Sequence, residues 1–189
     1  RAASDFLSLD PEADEGMRAA VDGAKQDGDT VGGVVEIVVR GLPPGLGGYS
    51  SAGQRLTGRL AGALMSIPAM KGVEIGLGFE AARRRGSAVH DPIELRAGAQ
   101  TPGWGRFQRR TNHAGGLEGG MTNGEALCLR LAMKPIPTLR KGLDSVDFES
   151  GQPVHATWQR SDITALPAAG VVGEAMVALV LADAVLAKF

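Results

Sequence analysis

The sequence predicts an α+β fold in which an antiparallel β-sheet packs against long central helices. Three observations predict this class. The run GVVEIVVRG at 33–41 is apolar and β-branched, leucines alternate with other residues at 127–133, and the chain ends in a long apolar segment at 166–189. The predicted order is β-α-β, an excursion, β-β-β and α, which favours two long helices on one face of an antiparallel sheet. The length suits a single domain over residues 1–189.

The composition excludes several classes of partner. The formal net charge is −1, so the chain has no general attraction to nucleic acid or to an anionic membrane. The single cysteine, Cys128, lies among leucines, which excludes an internal disulfide and fits packing in a reducing cytosol. The start of the chain has no Met and lacks the charge order of a signal peptide, which is compatible with a start inside a longer protein. The apolar stretch 175–182 is far shorter than the roughly 18 residues of a membrane span. We therefore expect a soluble, cytoplasmic protein.

The first part of the chain predicts a helix and then a strand. Residues 11–28 combine a charged face with apolar residues at helical spacing. GDTVGG ends this helix, and the strand at 33–41 is predicted to be covered on both faces because it is almost continuously apolar. The segment LPPGLGGYS must then be a loop.

The next part predicts a second helix and a second strand. Leucines recur at steps of four and three within 51–70, which indicates an amphipathic helix of about three to four turns. Pro68 predicts a break or kink near Ile67. GVEIGLGF at 72–79 is typical of a strand, and EAARRRG predicts a short helical turn. Residues 90–110 show no period and are predicted to be a surface excursion.

The last part predicts a strand, a hairpin and a buried helix. The alternation at 127–133 indicates a half-buried strand. Apolar residues on either side of ESGQ, around Val146 and Val154, predict a hairpin. Pro167 is expected at the first position of the final helix, and the apolar residues around that helix predict that it is buried and central.

A cluster of glycines raises the first question about function. The stretch TNHAGGLEGGMTNGE at 111–125 holds five glycines. Glycine packs no side chain and costs conformational entropy, so such a cluster is rarely neutral. Two explanations are open: the stretch is a mobile connector, or something comes close to its main chain.

Two further segments carry charge beside rigid or irregular backbone. In MKPIPT, Lys134 and Thr138 could form a phosphate clamp, because the prolines between them fix φ; the alternative is a strand end with a solvated lysine. Arg160 and Asp162 are two residues apart and would project to one side of an extended chain, a guanidinium for an oxyanion beside a carboxylate for proton transfer. The alternative is a helix-entry aspartate with a solvated arginine.

The histidines and the short glycine motif carry weaker signals. The three histidines are far apart in sequence and lack metal-ligand spacing, so a zinc site is not expected. His113 could contact a ligand, or it could be a polar histidine with its hydrogen bonds satisfied. GVEIGLGF is not a dinucleotide fingerprint, because its third glycine and the following helix are misplaced.

Five segments, in the family's order and at its spacing, resemble the second half of chorismate synthase. They include SIPAMKGVEIG, TNHAGGLEGGMTNGE, AMKPIPTL and QRSDITALPAAGVVGE, and span residues 27–47, 60–87, 111–125, 132–139 and 159–189. The resemblance covers nearly the whole chain except the excursion at 91–109 and the variable start. It implies that the chain forms half of the family's β-α-β sandwich.

The resemblance also implies a reaction and a cofactor. The family is a phosphate lyase of the shikimate pathway of aromatic amino acid biosynthesis. It catalyses the 1,4-elimination of phosphate and a C6 proton from 5-enolpyruvylshikimate 3-phosphate to give chorismate. Reduced FMN is required although no net redox change occurs. The family is cytoplasmic and homotetrameric, with NADP as an associated nucleotide.

The resemblance assigns roles to residues of this chain. Asp162 would be the catalytic carboxylate that assists proton transfer at the flavin, and Arg160 would meet both flavin and substrate as an electrostatic anchor. The remaining residues implied to contact FMN are Pro68, Ala69, Gly119, Lys134, Pro135, Ile136, Pro137 and Thr138. We therefore expect Gly119, Lys134, Thr138, Arg160 and Asp162 to lie against one flavin.

The chain departs from the family in three respects. Leu77 replaces the aspartate of the family's GDGF, and Thr57 replaces that of its LDA. The histidine motifs and most substrate arginines of the family's first half have no counterpart here. We therefore expect little activity from this chain alone. The alternatives are a non-catalytic scaffold that binds flavin or associates with itself, and a phosphate-binding protein unrelated to the family.

Overall fold

The computed structural model describes residues 4–98, 104–159 and 162–189. The elements in chain order are α1 (Pro11–Gln26), β1 (Gly33–Val39), α2 (Leu56–Met65), β2 (Met70–Ile75), β3 (Ile93–Leu95), β4 (Phe107–Arg109), β5 (Leu117–Glu118), β6 (Met121–Thr122), β7 (Leu127–Met133), β8 (Asp144–Val146), β9 (Pro153–His155) and α3 (Leu166–Lys188). Short 3-10 helices follow β2 and precede β4.

The central sheet has three antiparallel strands in the order β1-β7-β2. Leu129 of β7 pairs with Ile37 of β1 on one side and with Ile75 of β2 on the other. Helices α2 and α3 lie on one face of this sheet and contact each other. The predicted α+β class, an antiparallel sheet against long helices, is confirmed.

The core lies between the sheet and these two helices. Leucines of α2 are fully buried against the alternate leucines of β7, which confirms the half-buried strand predicted from the period of two. Small residues of α3 let the helix approach the sheet: a Cβ on Gly173 would lie 2.8 Å from Cδ1 of Ile37. The buried leucines are Leu56, Leu60, Leu64, Leu127, Leu129 and Leu131.

The prediction that β1 is covered on both faces is wrong for this chain. Ile37 points to the helices and is buried, but Val34 on the opposite face is 61% exposed. The reason is that α2 and α3 pack on the same side of the sheet, and on the other side residues 6–10 and Met17 lie near Val34 without burying it.

The second helix is shorter than predicted. Predicted over 51–70, it begins at Leu56, because Ser51–Arg55 form turns in which Gln54 and Arg55 donate backbone hydrogen bonds to the Ser51 carbonyl. It ends at Met65, before Pro68, as a proline at that position requires. Strand β2 begins at Met70, two residues earlier than predicted, and the predicted helical turn is a 3-10 helix at Gly78–Arg83.

The excursion at 90–110 contains regular structure that its sequence did not indicate. Strands β3 and β4 pair antiparallel at its base, with Ile93 opposite Arg109. Residues 99–103 lie outside the described part. Strands of three residues carry too few side chains for a period of two to be read from sequence.

The final helix has one buried face and one exposed face. Pro167 is its second residue rather than its first. The prediction of a buried, central helix is confirmed for one face and wrong for the other, because Leu179 is 67% exposed and Leu186 is 80% exposed. Seven of the exposed apolar residues lie at steps of three and four; we call them the outer seam, and they are Ala168, Val172, Ala175, Leu179, Ala182, Leu186 and Phe189. By length and composition α3 could also span a membrane, but its buried stripe packs on the sheet as that of a core helix does.

The predicted first helix and the predicted hairpin after β7 are both present. Both lie at the periphery of the fold. The Asp10 side chain caps α1 by accepting a hydrogen bond from the Glu12 N–H at 3.0 Å, and no residue of α1 is buried. Strands β8 and β9 pair antiparallel and are exposed along their length.

Candidate functional site

The residues expected to contact FMN lie in two groups at opposite ends of β7. The chain enters β7 from residues 111–125, which we call the glycine segment. It leaves β7 through residues 134–138, which we call the proline segment.

The proline segment is held by its neighbours at the start of β1 and of β2. The Lys134 N–H donates to the Ala69 carbonyl at 3.0 Å, which places two residues expected to contact flavin side by side. The Thr30 hydroxyl donates to the Ile136 carbonyl at 2.6 Å. Gly32 lies so close that a Cβ there would be 2.2 Å from the Met133 carbonyl oxygen. Pro135 and Pro137 are exposed beside the half-buried Thr138.

Pro68 and Ala69 are the central residues of a tight turn between α2 and β2. The Met70 N–H donates to the Ile67 carbonyl at 3.3 Å, and Ala69 has φ +71°. This is the pattern of a type II turn, in which proline suits the first central position and glycine the second. An alanine in the left-handed region carries strain, and such strain often marks a functional position.

Asp162 belongs to the same end of the sheet. The Val31 N–H donates to the carbonyl of the next residue, Ile163, at 2.9 Å, and Val31 adjoins Gly32 beside the proline segment. Asp162 is exposed and therefore accessible to a ligand. Arg160 lies outside the described residues.

The five glycines of the glycine segment all have positive φ, between +61° and +92°. At three of them the protein's own chain uses the space that a side chain would need. A Cβ would lie 2.2 Å from the Gly76 nitrogen at Gly115, 2.6 Å from the Ala126 oxygen at Gly116, and 2.6 Å from Cγ of Arg55 at Gly120. The segment is therefore close-packed, and the mobile-connector explanation does not hold.

Gly119 differs from these three glycines because the space beside it is open. No heavy atom of the described residues lies within 4 Å of a Cβ built there. Gly119 and Gly120, with φ +61° and +90°, form the two-residue turn that joins β5 to β6. Positive φ at both positions matches a type I′ turn, which favours glycine. Gly119 thus leaves main chain accessible to a ligand, unlike Gly115, Gly116 and Gly120.

A buried carboxylate that the sequence analysis did not single out fixes the start of the glycine segment. The Asp91 side chain is 1% exposed. It accepts hydrogen bonds from the Thr111 hydroxyl, from the His113 N–H at 2.7 Å and from the Ala114 N–H at 2.9 Å. Burial by itself raises the pKa of Asp91, but these three hydrogen bonds outweigh it, and the pKa lies below its ordinary value.

Asn112 fixes the next turn, and it too was missed. Its Oδ1 accepts from the Gly116 N–H at 3.0 Å, and its Nδ2 donates to the Ala126 carbonyl at 2.8 Å. An asparagine three residues before a pair of glycines is a signal that could have found it, because asparagine side chains bind nearby main chain in turns. His113 has its Nδ1 at 3.1 Å from the Val89 carbonyl oxygen, so the satisfied-histidine interpretation fits.

The structure does not bring Gly119 beside the proline segment within this chain, and the contact of both with one flavin stays a prediction. The Leu56 N–H, at the start of α2, donates to the Gly120 carbonyl at 2.8 Å, whereas Ala69 follows the end of α2. A helix of 10 residues is about 15 Å long, and this length separates the two groups.

The two departures from the family pattern occupy ordinary positions. Thr57 is exposed in the first turn of α2, which contains no acidic residue. The Leu77 N–H donates to the His113 carbonyl at 2.9 Å, a bond that any residue except proline could make.

Comparison with known proteins gives a consistent result. The family model described as Chorismate synthase matches residues 1–186. A chorismate synthase of Acidothermus cellulolyticus is 59% identical over 181 residues, which are 96% of this chain and 44% of that protein. One of Geobacter sulfurreducens is 56% identical over 189 residues, which are 100% of this chain and 48% of that protein.

A solved structure is similar in fold as well as in sequence. A crystal structure of chorismate synthase superimposes with a TM-score of 0.74 at 46% identity, over 94% of this chain and 44% of that chain. The chain thus spans about half the length of the relatives that it matches.

Proposed function

Because the chain belongs to the chorismate synthase family, we propose that it supplies the second half of a chorismate synthase. The reaction would be the 1,4-elimination of phosphate from 5-enolpyruvylshikimate 3-phosphate to give chorismate. The observation that carries the proposal is the high identity to chorismate synthases over nearly all of this chain, including the glycine and proline segments.

The main chain of both segments fits a flat, phosphorylated cofactor such as FMN. Gly119 presents open main chain, and the exposed prolines beside Lys134 stiffen a loop that carries an ammonium group. Pro68, Ala69, Ile136 and Thr138 would complete the contacts. Reduced FMN supplies electron density to the allylic elimination when it is bound.

The polar residues before α3 would bind the negative charge of the substrate and transfer its C6 proton. The substrate carries a phosphate and carboxylates, so Arg160 would anchor it by charge-assisted hydrogen bonds. Asp162, which is exposed at the same end of the sheet as Lys134, would accept or relay the C6 proton.

The site requires residues beyond those in this chain. The two groups of contacts lie on opposite ends of β7, and His113, the histidine of the glycine segment, has its Nδ1 against the Val89 carbonyl oxygen. The first half of the family's chain would bring the histidine that protonates the leaving phosphate, and a homotetramer would bring the contacts of neighbouring chains together. We place this assembly in the cytoplasm.

An anaerobic assay with reduced FMN and 5-enolpyruvylshikimate 3-phosphate tests the proposal. The 189-residue chain alone should give little turnover, and adding the separately expressed first half of the Geobacter sulfurreducens relative should restore it. In the restored mixture Asp162→Asn should lower kcat by about 10²-fold or more, whereas Glu149→Gln on the exposed β8–β9 turn should not. Fast turnover by the chain alone, or full activity of Asp162→Asn, would contradict it.

The outer seam favours a second candidate function, a self-associating scaffold. From Ala168 to Leu186 its residues follow the d and a positions of a heptad over three repeats, with alanine at d and a larger aliphatic residue at a. In an antiparallel pair of α3 helices Ala168 would face Leu186, Val172 would face Ala182, and Ala175 would face Leu179. Each layer would then combine a small and a large side chain, as close packing requires.

The oligomeric state and flavin binding separate the two candidates. If the chain is a scaffold, it should sediment as a dimer. Leu179→Asp in the outer seam should dissociate this dimer, whereas Val154→Asp on the exposed β9 should leave it intact. It should not saturate with FMN in a fluorescence titration. Saturable FMN binding together with restored turnover would exclude the scaffold and support the enzyme.

A further inference from the structure

Arg109, the last residue of β4, carries a buried guanidinium beside the glycine segment. Its side chain is 10% exposed. Nη2 pairs with the carboxylate of Glu118, and Nη1 donates to the Asp91 carbonyl at 3.1 Å. The Arg109 backbone N–H donates to the Glu125 carboxylate at 3.2 Å. One residue thus joins the start of the excursion to both ends of the β5–β6 hairpin.

Glu118 is the residue immediately before the Gly119–Gly120 turn. Its Oε2 also accepts a hydrogen bond from Nδ2 of Asn123 at 3.0 Å. Asn123 is buried and follows β6 directly. The carboxylate of Glu118 is therefore held from β4, by Arg109, and from the end of β6, by Asn123, and its position determines that of the turn.

The contact between Arg109 and Glu118 is strong because the guanidinium of Arg109 is charged and buried. Glu118 is the carboxylate paired with the Arg109 side chain in the described residues, and Nε of Arg109 finds no acceptor there. If Glu118 moved away, a buried positive charge would lose its counter-ion, which is strongly unfavourable. The position of the Gly119–Gly120 turn therefore depends on the ion pair between Glu118 and the buried Arg109 guanidinium.

We propose that Arg109 is the positioning residue of the Gly119–Gly120 turn, and that through Glu118 it sets where the Gly119 main chain meets a bound flavin. The second part rests on the proposed function. The first part depends only on the contacts of Arg109 and Glu118.

Amide hydrogen exchange of the 189-residue chain tests the first part. The Met121 amide reports on the hairpin, and the Leu129 amide in the centre of β7 reports on the whole fold. Arg109→Met should speed exchange at Met121 at least about 10-fold relative to Leu129, because a loosened hairpin opens without global unfolding. Arg109→Lys keeps the charge and should recover part of the protection. Arg110→Met removes the exposed neighbouring arginine and is the matched control.

Glu118→Gln provides a second variant that retains the size of the side chain. It should speed exchange at Met121 in the same direction, because it leaves Arg109 without a counter-ion. Unchanged exchange at Met121 in Arg109→Met and Glu118→Gln, or an equal increase at Met121 and Leu129, would overturn the positioning role.

Titration with FMN, followed by its fluorescence, tests the second part. If the parent chain binds FMN, Arg109→Met should raise Kd at least about 10-fold, Arg109→Lys less, and Arg110→Met not at all. Equal FMN affinity in Arg109→Met and the parent would overturn this part. If the parent chain does not bind FMN even when the first half of the Geobacter sulfurreducens relative is added, both this second part and the proposed function are contradicted, and the exchange experiment by itself decides the first part.

Discussion

The glycine segment leads into β7 and the proline segment leads out of it, and the two are held by different means. In the glycine segment, the buried Asp91 and the half-buried Asn112 bind main-chain groups with their side chains, and glycines let stretches of main chain touch directly. In the proline segment the main chain is half exposed and is held by bonds to Thr30 and Ala69 and by the proline rings.

This difference shows how to interpret unusual backbone. At Gly115, Gly116 and Gly120 the absence of a side chain is explained by contacts within the protein, so these residues say nothing about a ligand. At Gly119 no internal contact explains the glycine beyond its turn, and at Ala69 a left-handed alanine is strained. The positions that internal packing leaves unexplained are the better candidates for ligand contact.

The largest expected effect is that of Gly76→Ala. Gly76 has φ +59°, and a Cβ there would lie 2.1 Å from the His113 carbonyl oxygen, where the end of β2 meets the glycine segment. Left-handed strain and overpacking should together lower the free energy of unfolding by about 3–5 kcal/mol. Urea unfolding monitored by circular dichroism measures this loss.

The matched control places the same methyl group at Gly119. There φ is also positive but the space is open, so the loss should be limited to about 1–2 kcal/mol. Equal losses at Gly76 and Gly119 would contradict the distinction between a close-packed glycine and an open one.

The second effect is that of Asp91→Asn. An amide can accept with only one atom, and its NH2 group would face the His113 or the Ala114 N–H. The free energy of unfolding at neutral pH should fall by about 2–3 kcal/mol. Asp147→Asn is the control: Asp147 also accepts hydrogen bonds in a turn, but that turn is exposed, so the loss should be much smaller.

The same variant should reveal a pH dependence. Because the folded-state pKa of Asp91 is lowered, its contribution is complete above the unfolded-state pKa of about 3.9 and is lost as the pH falls through the folded-state value below it. The stability difference between the parent and Asp91→Asn should therefore shrink in acid. A difference that grew as the pH fell toward 3 would mean that Asp91 is not ionised in the folded protein.

Sequence periodicity predicted those parts of the fold whose burial follows a regular spacing. The alternate leucines of β7 and the spaced leucines of α2 are of this kind, and the sheet with its two helices follows from them. The exposure of one face of β1 and of α3 could not be predicted from sequence. An apolar residue indicates that its side chain favours burial, but not whether another part of this chain covers it. The role of Asp91 was also invisible, since it binds residues 20 to 23 positions away, a separation that no local pattern encodes.

The smallest expected effect is that of Ala69→Gly, and it completes the comparison at the proline segment. Glycine would relieve the left-handed strain at φ +71°, but it would also lose a packed methyl group and gain conformational freedom in the unfolded chain. These terms oppose each other, so the free energy of unfolding should change by less than about 0.5 kcal/mol. Thermal and urea unfolding of the variant and the parent measure the difference. A gain above about 1 kcal/mol would mean that the strain at Ala69 is larger than a turn requires, and that the proline segment, rather than the glycine segment, holds the most strained main chain beside β7.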